Sequence, residues 1–312
     1  MEKVVVVTVT YNSNEYLKKC IEHLNNQTYK VFKIIVVDNH STEEIHKLNM
    51  KLQSDNVEIL YLDTNTGGAG GFEYGMKHSQ KYNPDWVWLM DDDAFPESDC
   101  LSNLLSFKDK ENVGCLCPAI FGDNLKAYQI YHHKKMSKFF VEKPAFQSFE
   151  MFPEIFTVEA NAFVGPLVKQ EVINELGVAD GQLFIYGDDT EYTFRISRKY
   201  KVYVVKNAKI NHRDVIINDK TNDYKSWWKD YYNYRNRYLL IKKYATSFLQ
   251  KLISVSLLKT NIRKRILGSL LKRKYKGYRA IRIKLFKQAL RDGRKGIKGK
   301  TIDPIEYNKL FL

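Results

Sequence analysis

Four short apolar runs in the first 93 residues each stop abruptly at oxygen-bearing side chains, and that repeated juxtaposition constrains the fold more than any other feature. Residues 3–10 (KVVVVTVT) lead into Thr10-Tyr11-Asn12, and residues 32–37 into Asp38-Asn39. Residues 57–62 are followed by Asn65 and a glycine run, and residues 86–90 by Asp91-Asp92-Asp93. Uninterrupted apolar strands are those covered on both faces, as in a parallel sheet. Between them, Leu17, Cys20, Ile21 and Leu24 keep helical spacing after a Ser13 or Asn14 cap, and a second helix is expected around residues 72–82. This alternation predicts a doubly wound, mostly parallel α/β sheet, whose ligand crevice lies at the carboxyl ends of the strands.

The chemistry-bearing residues gather at those ends. Alternate members of Asp91-Asp92-Asp93 suit a hard divalent ion, Mg²⁺ or Mn²⁺, which completes its shell with substrate phosphates. Five glycines among residues 67–75 exceed the needs of a turn and suit a backbone that a ligand approaches closely. Because the run follows the third strand and not the first, it is not the dinucleotide fingerprint. Further on, Asp188 reads as a helix N-cap, with Glu191 completing a capping box. Asp189 is left at the head of that helix, available as a general base. A strand over residues 201–210 then ends in Asn211-His212-Arg213-Asp214, which makes His212 a candidate metal ligand.

Charge separates the end of the chain from its body. Of 312 residues with a net charge of +14, residues 241–312 hold 21 Lys+Arg and 3 Asp+Glu, leaving the first 240 residues at −4. Such a tail implies a polyanionic partner, nucleic acid or an anionic membrane surface, and no nucleic-acid motif accompanies it. Residues 224–244 place Trp228, Tyr231, Tyr232, Arg235, Tyr238 and Leu239 at helical spacing, an aromatic stripe expected to pack on the catalytic domain. Within it Trp228 and Arg235 are acceptor candidates, the guanidinium suiting a phosphate. Residues 248–258 and 266–271 alternate with the basic clusters 263–265 and 272–274, amphipathic and too short to span, as interfacial membrane helices are. Cys20, Cys100, Cys115 and Cys117 lack a zinc spacing and read as free thiols. The apolar run at residues 4–9 is neither a signal peptide nor a membrane span, so the expectation is a cytoplasmic protein resting on the inner face of the plasma membrane.

Taken in order, Thr10-Tyr11-Asn12, Asp38-Asn39, Asn65-x-Gly-Gly-Ala-Gly-Gly-Phe72, Trp88-Leu-Met-Asp-Asp-Asp93, Gly187-Asp-Asp-x-Glu-x-x-x-Arg195 and His212 resemble the family 2 inverting glycosyltransferases of the GT-A fold. The likeness spans about residues 3–214 and is greatest to the galactofuranosyltransferase and rhamnosyltransferase branch. The resemblance implies a catalytic domain over residues 1–215 and a basic, mainly helical extension over 216–312. It implies that Asp38 and Asn65 bind the nucleobase, with Thr10, Tyr11 and Asn12 alongside and Gly67, Gly68, Asp91 and Asp92 completing the nucleotide-sugar contacts. Asp91, Asp93 and His212 would hold Mn²⁺ or Mg²⁺, and Asp189 would be the base, steadied by Asp188, Glu191 and Arg195.

The donor so implied is a nucleotide-diphosphate sugar, UDP-galactofuranose ahead of dTDP-rhamnose, and the acceptor a lipid-linked saccharide in bacterial surface-polysaccharide synthesis. The oligomeric state is left open, a homo-oligomer included. At Glu159-Ala160-Asn161-Ala162-Phe163 the chain departs from relatives that carry aromatic residues there. Two other classes fit less well. A sugar-phosphate nucleotidyltransferase would have a glycine-rich, basic phosphate loop where this chain has residues 10–14, and a non-catalytic membrane-docking relative would have lost the acidic run or Asp189.

Overall fold

The computed structural model describes residues 1–122, 125–213 and 226–309. The chain divides into two compact units. The first comprises Met1–Met136, Glu142–Gly181 and the described part of 189–215; the second joins Ser137–Val141 and Gln182–Asp188 to the described residues from 226 onward. The expected boundary at 215–216, together with Asp214 and Tyr224 and Lys225 at the head of the aromatic stretch, lies outside the described residues.

The first unit opens with β1 (Val4–Thr10), α1 (Glu15–Asn25), β2 (Lys33–Asp38), α2 (Glu43–Met50), β3 (Val57–Tyr61), α3 (Gly67–Ser79) and β4 (Trp86–Asp91). It continues through β5 (Ala94–Pro96), α4 (Cys100–Leu105), β6 (Val113–Gly122), β7 (Ala127–Tyr128), β8 (His133–Met136), β9 (Glu142–Pro144) and β10 (Ile155–Val158). The last elements are β11 (Ala160–Asn161), β12 (Leu167–Lys169), α5 (Gln170–Leu176), α6 (Asp188–Ser197) and β13 (Lys201–His212). The main sheet runs β10-β13-β6-β12-β4-β1-β2-β3, with β5 added to β13 and β7 to β6. Pairings among β1, β2, β3 and β4 are parallel, as is β6 with β13; the three-residue β12 is antiparallel to both β4 and β6, so the sheet is mixed.

Alternation along β1 explains its unbroken valines. Val4 and Val6 join one core with Leu17, Cys20, Ile21 and Leu24 of α1, while Val5 and Val7 join another with Phe72 and Met76 of α3. All four valines are fully buried, each worth about 1.5–3 kcal/mol of transfer free energy. Helix α3 starts five residues earlier than expected, because the glycine run forms its first turns. A Cβ on Gly71 would lie 2.5 Å from Val9 Cγ1, and one on Gly75 would overlap Val7. Gly71 and Gly75 therefore serve close helix-to-sheet packing, which corrects their reading as part of a ligand-approaching loop. All four cysteines are buried free thiols, and burial pushes those of Cys20, Cys100 and Cys117 well above the ordinary range.

The second unit is built on α7 (Trp228–Tyr244), α8 (Phe248–Leu271), α9 (Arg279–Lys295) and α10 (Pro304–Lys309). Its core gathers Tyr231, Tyr232, Tyr234 and Tyr238 of α7 around Leu285, Phe286 and Ala289 of α9. The aromatic stripe expected on the catalytic domain is thus the centre of the helical unit's own core. Among the described residues no helix is long and apolar enough to cross a membrane.

Candidate active site

Register brings the polar strand ends together. Thr10 pairs with Asp38 across β1 and β2, and Val9 with Asp91 across β1 and β4. Beyond these ends lies a cleft of about 700 Å³, lined among others by Thr10, Tyr11, Asn12, Asn39, Gly68 and the whole of Asp91-Asp92-Asp93. His212 reaches the same place by a different route. The short β5, directly after Asp93, pairs antiparallel with the end of β13 and sets His212 opposite Ala94. The Arg213 N–H then donates to the Asp93 carbonyl at 3.1 Å.

Ligand atoms of Asp91, Asp93 and His212 consequently lie within 4.8 Å of one another, with His212 Nε2 3.3 Å from Asp93 Oδ1. Two carboxylates and an imidazole, half-buried and converging beside a cleft, form a donor set that fits Mn²⁺ or Mg²⁺. Asp92 is turned elsewhere: it accepts a 2.6 Å hydrogen bond from Thr10 Oγ1. Burial pushes its carboxyl up to about 7, opposed by the Thr10 hydrogen bond, while the charge of Asp93 adds to the rise.

The remaining candidates divide between cleft and support. Asn12 adopts a left-handed φ of 51°, its N–H donating to Ser41 Oγ and its side-chain oxygen accepting from the Thr42 N–H, both at 2.8 Å. Asp38 is fully buried and does not line the cleft. One oxygen accepts from the Ser41 N–H at 3.0 Å, and the other faces His46 Nδ1 at 3.0 Å and Asn49 Nδ2 at 3.1 Å. Its neighbour Asn39 does face the cleft while donating to the Gly67 carbonyl. Asn65 accepts from the Gly67 N–H at 2.9 Å, shaping the start of α3, and Gly67 needs its positive φ of 74°. Only Gly68 of the run combines a place on the cleft with open space around its Cα. Arg213, which carried no assigned role from sequence, also lines the cleft and stacks its guanidinium 4.4 Å from the Tyr16 ring centroid.

Helix α6 begins at Asp188. Glu191 takes both Nε and Nη2 of Arg195, at 3.2 and 2.9 Å. Arg195 also donates to the Leu176 and Val178 carbonyls, tying α6 to the chain that leaves α5. Asp189 is half-buried and accepts from the Thr190 N–H at 2.6 Å; it is not among the cleft-lining residues.

In the helical unit the acceptor candidates part company. Trp228 is half-buried, with Lys229 Nζ 5.7 Å from its ring and 5.9 Å from that of the exposed Tyr186. Arg235 is fully buried and donates to the carbonyls of Leu183 and Gly299, to Thr301 and to Asn236. Its guanidinium is therefore not offered to an acceptor phosphate, which corrects the expectation drawn from its residue type. Asn236 adds contacts to the Leu183, Ile185 and Tyr186 carbonyls, holding a turn in which Phe184, Tyr186 and Gly187 all have positive φ.

Comparison with known proteins adds an independent line. Residues 5–177 match the family model described as Glycosyl transferase family 2. The galactofuranosyltransferase GlfT1 of Mycolicibacterium smegmatis is 29% identical over 206 residues, 63% of this chain and 66% of the relative, just under two thirds of that protein's length. The dTDP-rhamnosyl transferase RfbF of Shigella flexneri is 25% identical over 247 residues, 77% of this chain and 80% of the relative. Among solved structures, GalNAc-T7 with UDP, GalNAc and Mn²⁺ superposes with a TM-score of 0.58 at 18% identity, over 79% of this chain and 52% of that one.

Proposed function

The chain belongs to glycosyl transferase family 2 with a GT-A fold, and from that premise we propose that it transfers galactofuranose from UDP-galactofuranose, with inversion, to a lipid-linked saccharide acceptor. The observation that carries the reading is the convergence of Asp91, Asp93 and His212 beside the strand-end cleft. GlfT1 as a relative supports galactofuranose as the sugar, and the UDP and Mn²⁺ held by GalNAc-T7 support the nucleotide and the ion.

In this reading Asp91, Asp93 and His212 hold the divalent ion, which when bound neutralises charge on the donor diphosphate. Asn12, Asn39 and Gly68 line the bed for the nucleotide, and Arg213 adds a positive charge to the same cleft. Asp189 accepts the proton of an acceptor hydroxyl. The hydroxyl oxygen bonds to the anomeric carbon as the bond from that carbon to the nucleotide diphosphate breaks on the opposite face, inverting the centre.

Helix α8 supports a membrane-bound acceptor. Val255, Leu258 and Ile262 are buried, whereas Phe248, Leu249, Leu252, Leu267 and Leu271 are exposed, with the exposed Lys259, Arg263 and Lys264 between these two apolar groups. An outward face both apolar and cationic suits the interface of an anionic bilayer, the inner leaflet of the plasma membrane in this proposal.

A second reading, rhamnose from dTDP-rhamnose, is favoured by the greater share of both chains that the RfbF match covers. Calorimetric titration with UDP and dTDP, each with Mn²⁺ and then with EDTA, tests the reading. Metal-dependent binding of UDP is the expected result; preference for dTDP selects the second reading, and binding of neither by folded protein overturns both.

A further inference from the structure

We infer that Gln129 is a positioning residue for the cation site: its side-chain oxygen holds His212 in the tautomer that presents Nε2 as a ligand. The inference rests on reading Asp91, Asp93 and His212 as that site. Gln129 directly follows β7, and its N–H is anchored to the Ile120 carbonyl at 3.0 Å. Two imidazoles converge on its single amide oxygen, His132 Nε2 at 2.7 Å and His212 Nδ1 at 3.1 Å.

An amide oxygen accepts and never donates, so each of those ring nitrogens carries its proton. A neutral imidazole has one protonated nitrogen, and His212 with its proton on Nδ1 has a bare Nε2. That Nε2 is the atom beside Asp93. Metal-bound histidines commonly give their other N–H to an oxygen acceptor, which fixes the ring and raises its basicity as a ligand. Here the acceptor is itself held by a second donor. The rings of His132 and His212 stand edge to face at 5.4 Å, and both reach the same oxygen. Turning the amide around would aim its NH₂ group at both rings. The His212 proton would then move to Nε2, where it blocks ligation.

The full-length protein tests this by Mn²⁺ titration, with free ion followed by electron paramagnetic resonance. Gln129→Met keeps the side-chain length and removes the acceptor, and is expected to weaken Mn²⁺ binding by about 10–100-fold. Gln129→Glu retains an accepting oxygen and is expected to stay near wild type. Nitrogen-15 shifts of His212 in the Mg²⁺-loaded wild type should show the proton on Nδ1; a proton on Nε2 overturns the inference, including when Gln129→Met does not fold. His212→Ala and Asp93→Asn separate the layers. If both bind Mn²⁺ like wild type, the cation-site reading fails and this inference with it. If both lose binding while Gln129→Met keeps it, only the role of Gln129 is overturned.

Discussion

Gly71 lies so close to Val9 that a methyl group in place of its hydrogen would come within 2.5 Å of Val9 Cγ1. Val9 is β-branched, with little rotamer freedom to move aside. Gly71→Ala is therefore expected to lower stability by about 1–3 kcal/mol, although alanine is intrinsically the better helix former by about 1 kcal/mol. Gly68→Ala, with nothing within 4 Å of its Cβ, should leave stability unchanged or slightly raised while weakening nucleotide binding. Urea unfolding of the two variants checks the contrast, and equal effects would remove the packing explanation of the run.

Asp93 and His212 belong to one ligand set in the proposed reading, so Asp93→Asn and His212→Ala should each abolish the metal dependence of UDP binding. The expected loss exceeds the roughly tenfold lower bound for outer-shell partners. Calorimetry with and without EDTA measures it. A variant that still responds to Mn²⁺ like wild type would place the ion elsewhere.

Asp189→Asn keeps size and hydrogen-bonding capacity but gives up the basic oxygen. Turnover should fall by a factor of about 10²–10⁴ while the UDP dissociation constant stays put. Parallel loss of both would take Asp189 out of the base role.

Arg235 and Asn236 hold the carbonyls of Leu183, Ile185, Tyr186 and Gly299 within the helical unit. Asn236→Ala should cost about 1–3 kcal/mol, because it takes the acceptor Oδ1 from the buried Arg235 Nε–H. Arg235→Lys should not restore stability, since an ammonium lacks the planar fork that spans several acceptors. Denaturant midpoints decide, and a neutral Arg235→Lys would show that charge alone suffices.

Exposed Leu249 and Leu252 on α8 are expected to enter the bilayer interface. Replacing both with serine should weaken binding to anionic vesicles by about 10–150-fold per residue, from about 1.5–3 kcal/mol for each buried leucine. The thermal midpoint should not move, because neither side chain belongs to the core. Vesicle co-sedimentation is the measurement; unchanged binding would assign this face to another partner.

The parallel strands were legible because burial on both faces leaves an unbroken β-branched run, as in residues 4–7. The acidic run was legible because three carboxylates directly follow such a strand. The glycines were ambiguous by nature: the absence of a Cβ serves a ligand or a neighbouring strand equally, and only Val7 and Val9 decide between them. Strands of three residues such as β5 and β12 carry no periodicity, yet β5 delivers His212 to Asp93. Arg235 misled for a related reason, since composition cannot distinguish a guanidinium offered to solvent from one spent on backbone carbonyls. Gln129 and His132 gave no signal at all, their meaning residing in a shared acceptor 83 residues along the chain from His212.

The sealed cysteines have a practical side. A thiolate is the nucleophile toward alkylating reagents, and Cys20, Cys100 and Cys117 combine burial with thiols pushed well away from ionisation, while Cys115 is buried beside Cys117. The folded chain therefore presents a background nearly silent to maleimides. A single Leu252→Cys on the outward face of α8 would take up one fluorophore or spin label without removing any native residue of the core. The protein could then report, in its own emission, the moment that helix leaves water for lipid.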